Sequence, residues 1–101
     1  MAIALLAAGC AQSVTLPDDA DEELFQGQDV YQARCAQCHG AAGGGGLGPN
    51  IQLIEDRLTD QEQYEVVRNG RNGNAGNMPA FGAVLSDSDI EAVVRYTREI
   101  L

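Results

Sequence analysis

The chain has 101 residues, which suggests a single domain, and carries 15 acidic residues against six basic ones, all arginine, for a formal net charge of −9. That balance excludes nucleic-acid binding by counterion release, which needs a dense row of cations. There is no Trp and only 5% of the residues are aromatic, so the core is thin for a short domain and calls for a metal, a disulfide or a cofactor to complete it.

Residues 1–9, MAIALLAAG, form an apolar run far too short to span a bilayer, and read as the tail of a secretory signal without its basic leader. The stretch Leu6-Ala7-Ala8-Gly9-Cys10 resembles a bacterial lipoprotein cleavage site, although alanine rather than leucine stands at position 7. The resemblance implies that Cys10 becomes a lipidated N-terminus. An ordinary signal with an incidental cysteine is the alternative. Residues 10–23 then form an acidic tether, since 11–23 hold five acids, no base and Pro17. Residues 24–101 are the domain proper.

A first helix is predicted from about Asp21 to Arg34, with Leu24, Val30 and Tyr31 on its apolar side and Gly27 inside it. The glycine-rich stretch 40–50, GAAGGGGLGPN, cannot be regular helix or strand. A second helix starts at Thr59, where Thr59 and Glu62 fit a capping box, and stops at Gly70. Tyr64 and Val67 or Val66 give its buried side. Residues 70–82, GRNGNAGNMPAFG, are again a loop. A last helix begins after an N-cap at Ser86, with Leu85 and Ile90 at the staple positions and Ile90, Val93, Val94 and Thr97 as the buried stripe. No segment alternates as a strand.

Chemistry concentrates in Cys35-Ala36-Gln37-Cys38-His39. C-x-x-C-H is the attachment signature of c-type haem. Two thiols one helical turn apart can each form a thioether to a haem vinyl group, and the histidine that follows can ligate the iron. A thioredoxin-like dithiol expects a βαβ context. Zinc needs a full tetrahedral ligand set, for which the domain offers two cysteines and one histidine. A Cys35–Cys38 disulfide closes too small a loop to stabilise much. His39 is the only histidine, so bis-histidine ligation within the chain is excluded. Met78 is the domain's only methionine: either the second axial ligand or a core gap-filler.

In order, C-A-Q-C-H-G, L-G-P-N at Leu47–Asn50, N-M-P-A-F at Asn77–Phe81 and L-S-D-S-D-I-E-A-V-V-R-Y resemble a class I c-type cytochrome, the small monohaem type of bacterial respiratory chains. The resemblance covers about residues 24–101. It implies an all-α fold of helices and glycine-rich loops around one covalent haem c, with the first and last helices crossing where Gly27 meets Tyr96. It also implies that the Pro49 carbonyl, beside Gly48, accepts a hydrogen bond from His39 and fixes its ring. Arg71 and Arg57 are candidates to pair with the haem propionates, or are ordinary solvated arginines.

With His39 and Met78 both on the iron, the expected function is one-electron carriage, not substrate turnover. The partners expected are an oxidase, reductase or dehydrogenase with a neutral or basic docking surface, met near Ala41, Ala42, Ala75, Ala80 and Phe81. If Met78 does not bind, a five-coordinate haem binds gas or decomposes peroxide. A fixed haem subunit of an oxidase or dehydrogenase is the other alternative. Covalent haem and a secretion-like N-terminus place the protein in the periplasm, anchored through Cys10.

Overall fold

The structure, a computed structural model, describes residues 14–73 and 76–101. The expected signal segment, Cys10 and Ala75 lie outside the described residues. Asp21 caps the first helix, α1 (Glu22–Val30), by accepting from the Leu24 backbone N–H at 3.1 Å. The helix does not stop at Arg34. It widens into a π-helical turn, Tyr31–Cys35, and continues as α2 (Ala36–His39), so C-x-x-C-H lies on helix to its last residue. A π turn inserts an extra residue and rotates everything after it, a feature frequent at functional sites. Here Tyr31 and Cys35 both end up buried.

A 3₁₀ turn (Ile54–Asp56) precedes α3 (Asp60–Asn69), whose Thr59–Glu62 capping box forms as predicted. Gly70 ends it with φ +79°. Two short strands follow, β1 (Arg71–Gly73) and β2 (Gly76–Met78), antiparallel with Arg71 opposite Met78. This ribbon corrects the expectation of no strand. Its three-residue arms, rich in glycine and asparagine, are too short to show an alternating pattern. The final helix, α4 (Asp87–Glu99), starts at a Ser86–Asp89 capping box. The fold is otherwise helical, as expected.

The core is built where α1 crosses α4. Tyr31, Tyr96 and Ile90 are fully buried there, with Leu85, Val93 and Val94 beside them. Gly27 makes the crossing possible. A Cβ at that position would lie 2.3 Å from the Ala92 carbonyl oxygen and 2.7 Å from Tyr96 Cβ. The expected Gly27–Tyr96 contact is thus present, with the Ala92 backbone sharing it. The Tyr31 and Tyr96 rings pack at a 5.5 Å centroid distance, tilted by 42°, within the range of favourable aromatic pairs.

Polar bonds fasten the same helices. Arg95 on α4 reaches Asp21 (2.8 Å) and Glu23 (3.1 Å) at the start of α1. Gln26 donates to Asp89 at 2.9 Å. On the other flank, buried Gln63 donates to buried Thr97 at 2.6 Å, and Arg98 donates to Gln63 Oε1 and to the Leu58 carbonyl. This satisfied network ties α3 to α4 without leaving an unpaired buried amide.

The segment read as a solvated tether is less free than its composition suggests. Val14 and Leu16 pack against the core, and Gln28 donates to the Val14 carbonyl at 2.9 Å. Its acids are partly engaged too, since Asp21 and Glu23 hold Arg95. No helix among the described residues is long and apolar enough to cross a membrane.

Candidate haem-attachment site

Cys35 and Cys38 lie one helical turn apart, one at the end of the π turn and one in α2. Both are free thiols, Cys35 buried and Cys38 half-buried. Burial, reinforced by the neighbouring Cys38, pushes the Cys35 thiol up to about 11. His39 ends α2, and its Nδ1 lies 2.8 Å from the Pro49 carbonyl oxygen. A carbonyl only accepts, so Nδ1 carries the proton of this bond, and in the neutral ring that leaves the Nε2 lone pair free. The 40–50 loop is shaped to make that bond. Gly48 N–H donates to the Cys38 carbonyl (2.7 Å), Gly45 N–H donates to the His39 carbonyl (2.7 Å), and Asn50 Oδ1 caps the Gln52 N–H (2.7 Å). A Cβ on Gly48 would come within 3.1 Å of the imidazole, tighter than ordinary contact, so a side chain there would press on the ring.

Met78 ends β2. The loop after it is pinned to the end of α3, with Phe81 N–H on the Val67 carbonyl and Gly82 N–H on the Arg68 carbonyl, both at 3.0 Å. Gly70 lies directly under the same loop: a Cβ there would stand 2.7 Å from the Met78 carbonyl oxygen. Cys35 belongs to the core cluster, while Ala36, Met78 and Phe81 pack against it. The attachment turn and the thioether therefore border one apolar body.

Arg57 donates to the Asn50 carbonyl at 2.9 Å, next to the residue that holds His39. Arg71 is exposed on β1, across from Met78. Of the expected docking residues, Ala41 and Ala80 are exposed and Ala42 and Phe81 half-buried. One residue near the site was read in the sequence only as part of the first helix's apolar side. Tyr31, fully buried, donates from its hydroxyl to the Gly40 carbonyl at 2.6 Å, bracketing the five-residue motif from both ends. The Gly27-Tyr31-Cys35 spacing, every four residues on one helix face, was the available signal.

The groups present fit a covalent haem. Two thiols, an imidazole with its Nε2 lone pair free and a thioether form the donor set. Leu47, Leu53 and Val84 (82%, 62% and 56% exposed) add apolar surface on the segments that carry it. The alternatives fare worse. No cluster of three or more His, Cys, Asp or Glu side chains able to hold a metal ion exists among the described residues, so zinc finds no full ligand set among them. The only sheet among them is the two-stranded ribbon, so a thioredoxin-like βαβ setting is missing there.

Residues 22–96 match the family described as "Cytochrome C oxidase, cbb3-type, subunit III". Cytochrome c6 of Gracilaria tenuistipitata var. liui is 35% identical over 80 residues, covering 73% of this chain and 69% of its own. Cytochrome c-551 of Bacillus subtilis is 28% identical, covering 96% and 95%. Cytochrome cL of Hyphomicrobium denitrificans superposes with a TM-score of 0.67 at 27% identity over 77% of this chain. The chain spans about half of that structure, 47%. A match over most of the sequence, with the helical frame and donor set just described, places the chain in the family of small class I c-type cytochromes, electron-transfer proteins that carry covalently attached haem c and are not enzymes.

Proposed function

We propose that this protein is a His/Met-ligated carrier: Cys35 and Cys38 would bind the haem, and His39 through Nε2 and Met78 through Sδ would ligate its iron. The observation that carries this reading is the 2.8 Å bond between His39 Nδ1 and the Pro49 carbonyl. It fixes the tautomer, presents Nε2 as the ligating atom and makes the imidazole a stronger donor. When bound, the haem supplies a one-electron couple whose potential thioether ligation raises relative to bis-histidine ligation. The protein's part is to keep both axial groups in place. Gly48 and Pro49 hold His39, and the α3-anchored ribbon holds Met78. Arg57, already beside Asn50, has N–H groups left to donate to a propionate. Arg71 stands at the ribbon edge, opposite Met78.

The setting we infer is periplasmic, in a respiratory chain, with an oxidase or dehydrogenase as partner. The cbb3-type family match and the cytochrome cL likeness both favour such partners. The lipoprotein-like Leu6–Cys10 stretch supports anchoring through Cys10, with the following acidic residues as a spacer. A single acyl chain binds membranes only marginally, so stable anchoring takes more than one.

Met78→Ala tests the ligand assignment. The oxidised variant loses the sulfur-to-iron charge-transfer band, its potential falls, and the reduced form binds carbon monoxide. A variant that keeps the wild-type spectrum and potential would return Met78 to a packing role.

A further inference from the structure

The net charge of −9 is unevenly distributed. No acidic residue lies between Asp29 and Glu55, or between Glu65 and Asp87. Those two stretches carry C-x-x-C-H with its glycine loop, and the ribbon with Met78. Their only charged side chains, His39 aside, are Arg34, Arg68 and Arg71. All three are exposed, and none forms an ion pair among the described residues. The ion pairs found belong to Arg95 and Arg98 on α4.

The fold keeps these three cations beside the site. Arg34 precedes Cys35 in the π turn. Arg71 faces Met78 across the ribbon. Arg68 lends its carbonyl to Gly82, and its Cγ lies 3.1 Å from where a Cβ on Gly82 would be. The acids lie before and at the entry to α1, at Asp29 in its last turn, on the 3₁₀ turn, on α3 up to Glu65, and on α4.

We propose that the face bearing Cys35, Cys38, His39 and Met78 docks onto a carboxylate-rich patch of its redox partner through Arg34, Arg68 and Arg71. This rests on the electron-carrier reading and replaces the neutral or basic partner that net charge alone suggests. Charge close to the contact decides orientation and encounter rate, while charge far from it is screened within a Debye length. The polypeptide charge next to the site is then positive, although the total charge is negative. Haem propionates add negative charge to that side, so the sign must be read on the holoprotein.

The test uses ferricyanide, a small anionic oxidant, with the reduced holoprotein in stopped flow. The oxidation rate falls about two- to fivefold between about 10 mM and about 150 mM ionic strength, as the Debye length shrinks from about 30 Å to about 8 Å. In the R34Q/R68Q variant, which leaves the propionate candidate Arg71 in place, the fall with salt is lost, because most of the local positive charge is gone, while the visible spectrum and potential stay wild-type. A second readout needs no electron transfer. Added polyglutamate shifts amide resonances in residues 34–54 and 68–84 but not those of α4. A ferricyanide rate that rises with salt in the wild type, or polyglutamate shifts that are absent or lie on α4, overturns the docking proposal. An altered axial-ligand spectrum in the wild type would instead overturn the site assignment, so the two failures are distinct.

Discussion

Gly27→Ala sets two effects of opposite sign against each other. Helix propensity alone predicts a gain of about 1 kcal/mol, because glycine is the costlier residue inside a helix. The structure predicts a loss. The new Cβ would stand 2.3 Å from the Ala92 carbonyl oxygen, 2.9 Å from its carbon and 2.7 Å from Tyr96 Cβ. Ordinary carbon contacts begin near about 3.5 Å, so α1 must back away from α4 by about 1 Å. Two of the three offending atoms are backbone, and no rotamer change relieves them. A gap of that size forfeits about a quarter to a half of each contact it opens. The contacts affected include the Tyr31–Tyr96 pair and the packing of Leu24 and Val30. Overpacking costs up to about 3 kcal/mol, which less the propensity gain leaves a net loss of about 2 kcal/mol. For a domain this size that lowers Tm by about 8–16 °C. Urea unfolding of the holoprotein, followed by far-UV circular dichroism, measures it as a lower midpoint at unchanged slope. Asp29→Ala, at an exposed position on the same helix, stays within about 0.5 kcal/mol of wild type. A Gly27→Ala protein as stable as wild type, or more so, refutes the packing argument.

Two further outcomes follow. Gly70 sits at φ +79° and ψ 176°, a region that side chains avoid, directly under the Met78 carbonyl. Gly70→Ala therefore costs about 1–3 kcal/mol in backbone strain, and displaces Met78, so added imidazole ligates the oxidised haem at lower concentration than in wild type; unchanged imidazole affinity would detach Gly70 from the Met78 site. For pH, the Arg95 guanidinium and then the Leu24 N–H hold the Asp21 carboxyl below its usual range. A depressed folded-state pKa gives stability that is present above about pH 4 and lost as pH falls through the folded value. Arg95→Gln therefore flattens the acid limb of a plot of urea midpoint against pH, and an acid limb as steep as wild type contradicts the assignment.

What the sequence disclosed was set by local chemistry. The helix starts at Thr59 and Ser86 were legible because a capping box at the first, and an N-cap with its staple at the second, are written within a few residues. The buried stripe of α4 was legible from its periodicity. C-x-x-C-H declared the cofactor, and the order of the flanking motifs implied the His39–Pro49 bond that the structure contains. Features that depend on distant partners were not legible. The π turn satisfies Tyr31 and Cys35 at once, both buried among residues of α4 and the core, and nothing local demands it. The ribbon has no alternating pattern because its arms are too short. Val14 and Leu16 stand in a polar, acidic stretch, and only the contact with α1 reveals that they pack. Gln63 and Thr97 read as surface residues until their mutual hydrogen bond is seen across α3 and α4. The unpaired arginines needed both sources: the acid-free stretches are visible in the sequence, while their place beside the haem ligands follows from the fold.

The central claim is a closed site with His39 and Met78 on the iron. Oxidised and reduced visible spectra of the wild-type holoprotein, before and after carbon monoxide, test it most directly. The account predicts a low-spin c-type reduced spectrum, a weak sulfur-to-iron charge-transfer band when oxidised, and no change with carbon monoxide. A high-spin spectrum that shifts when carbon monoxide is added would contradict it and point to an open iron that binds gas or decomposes peroxide.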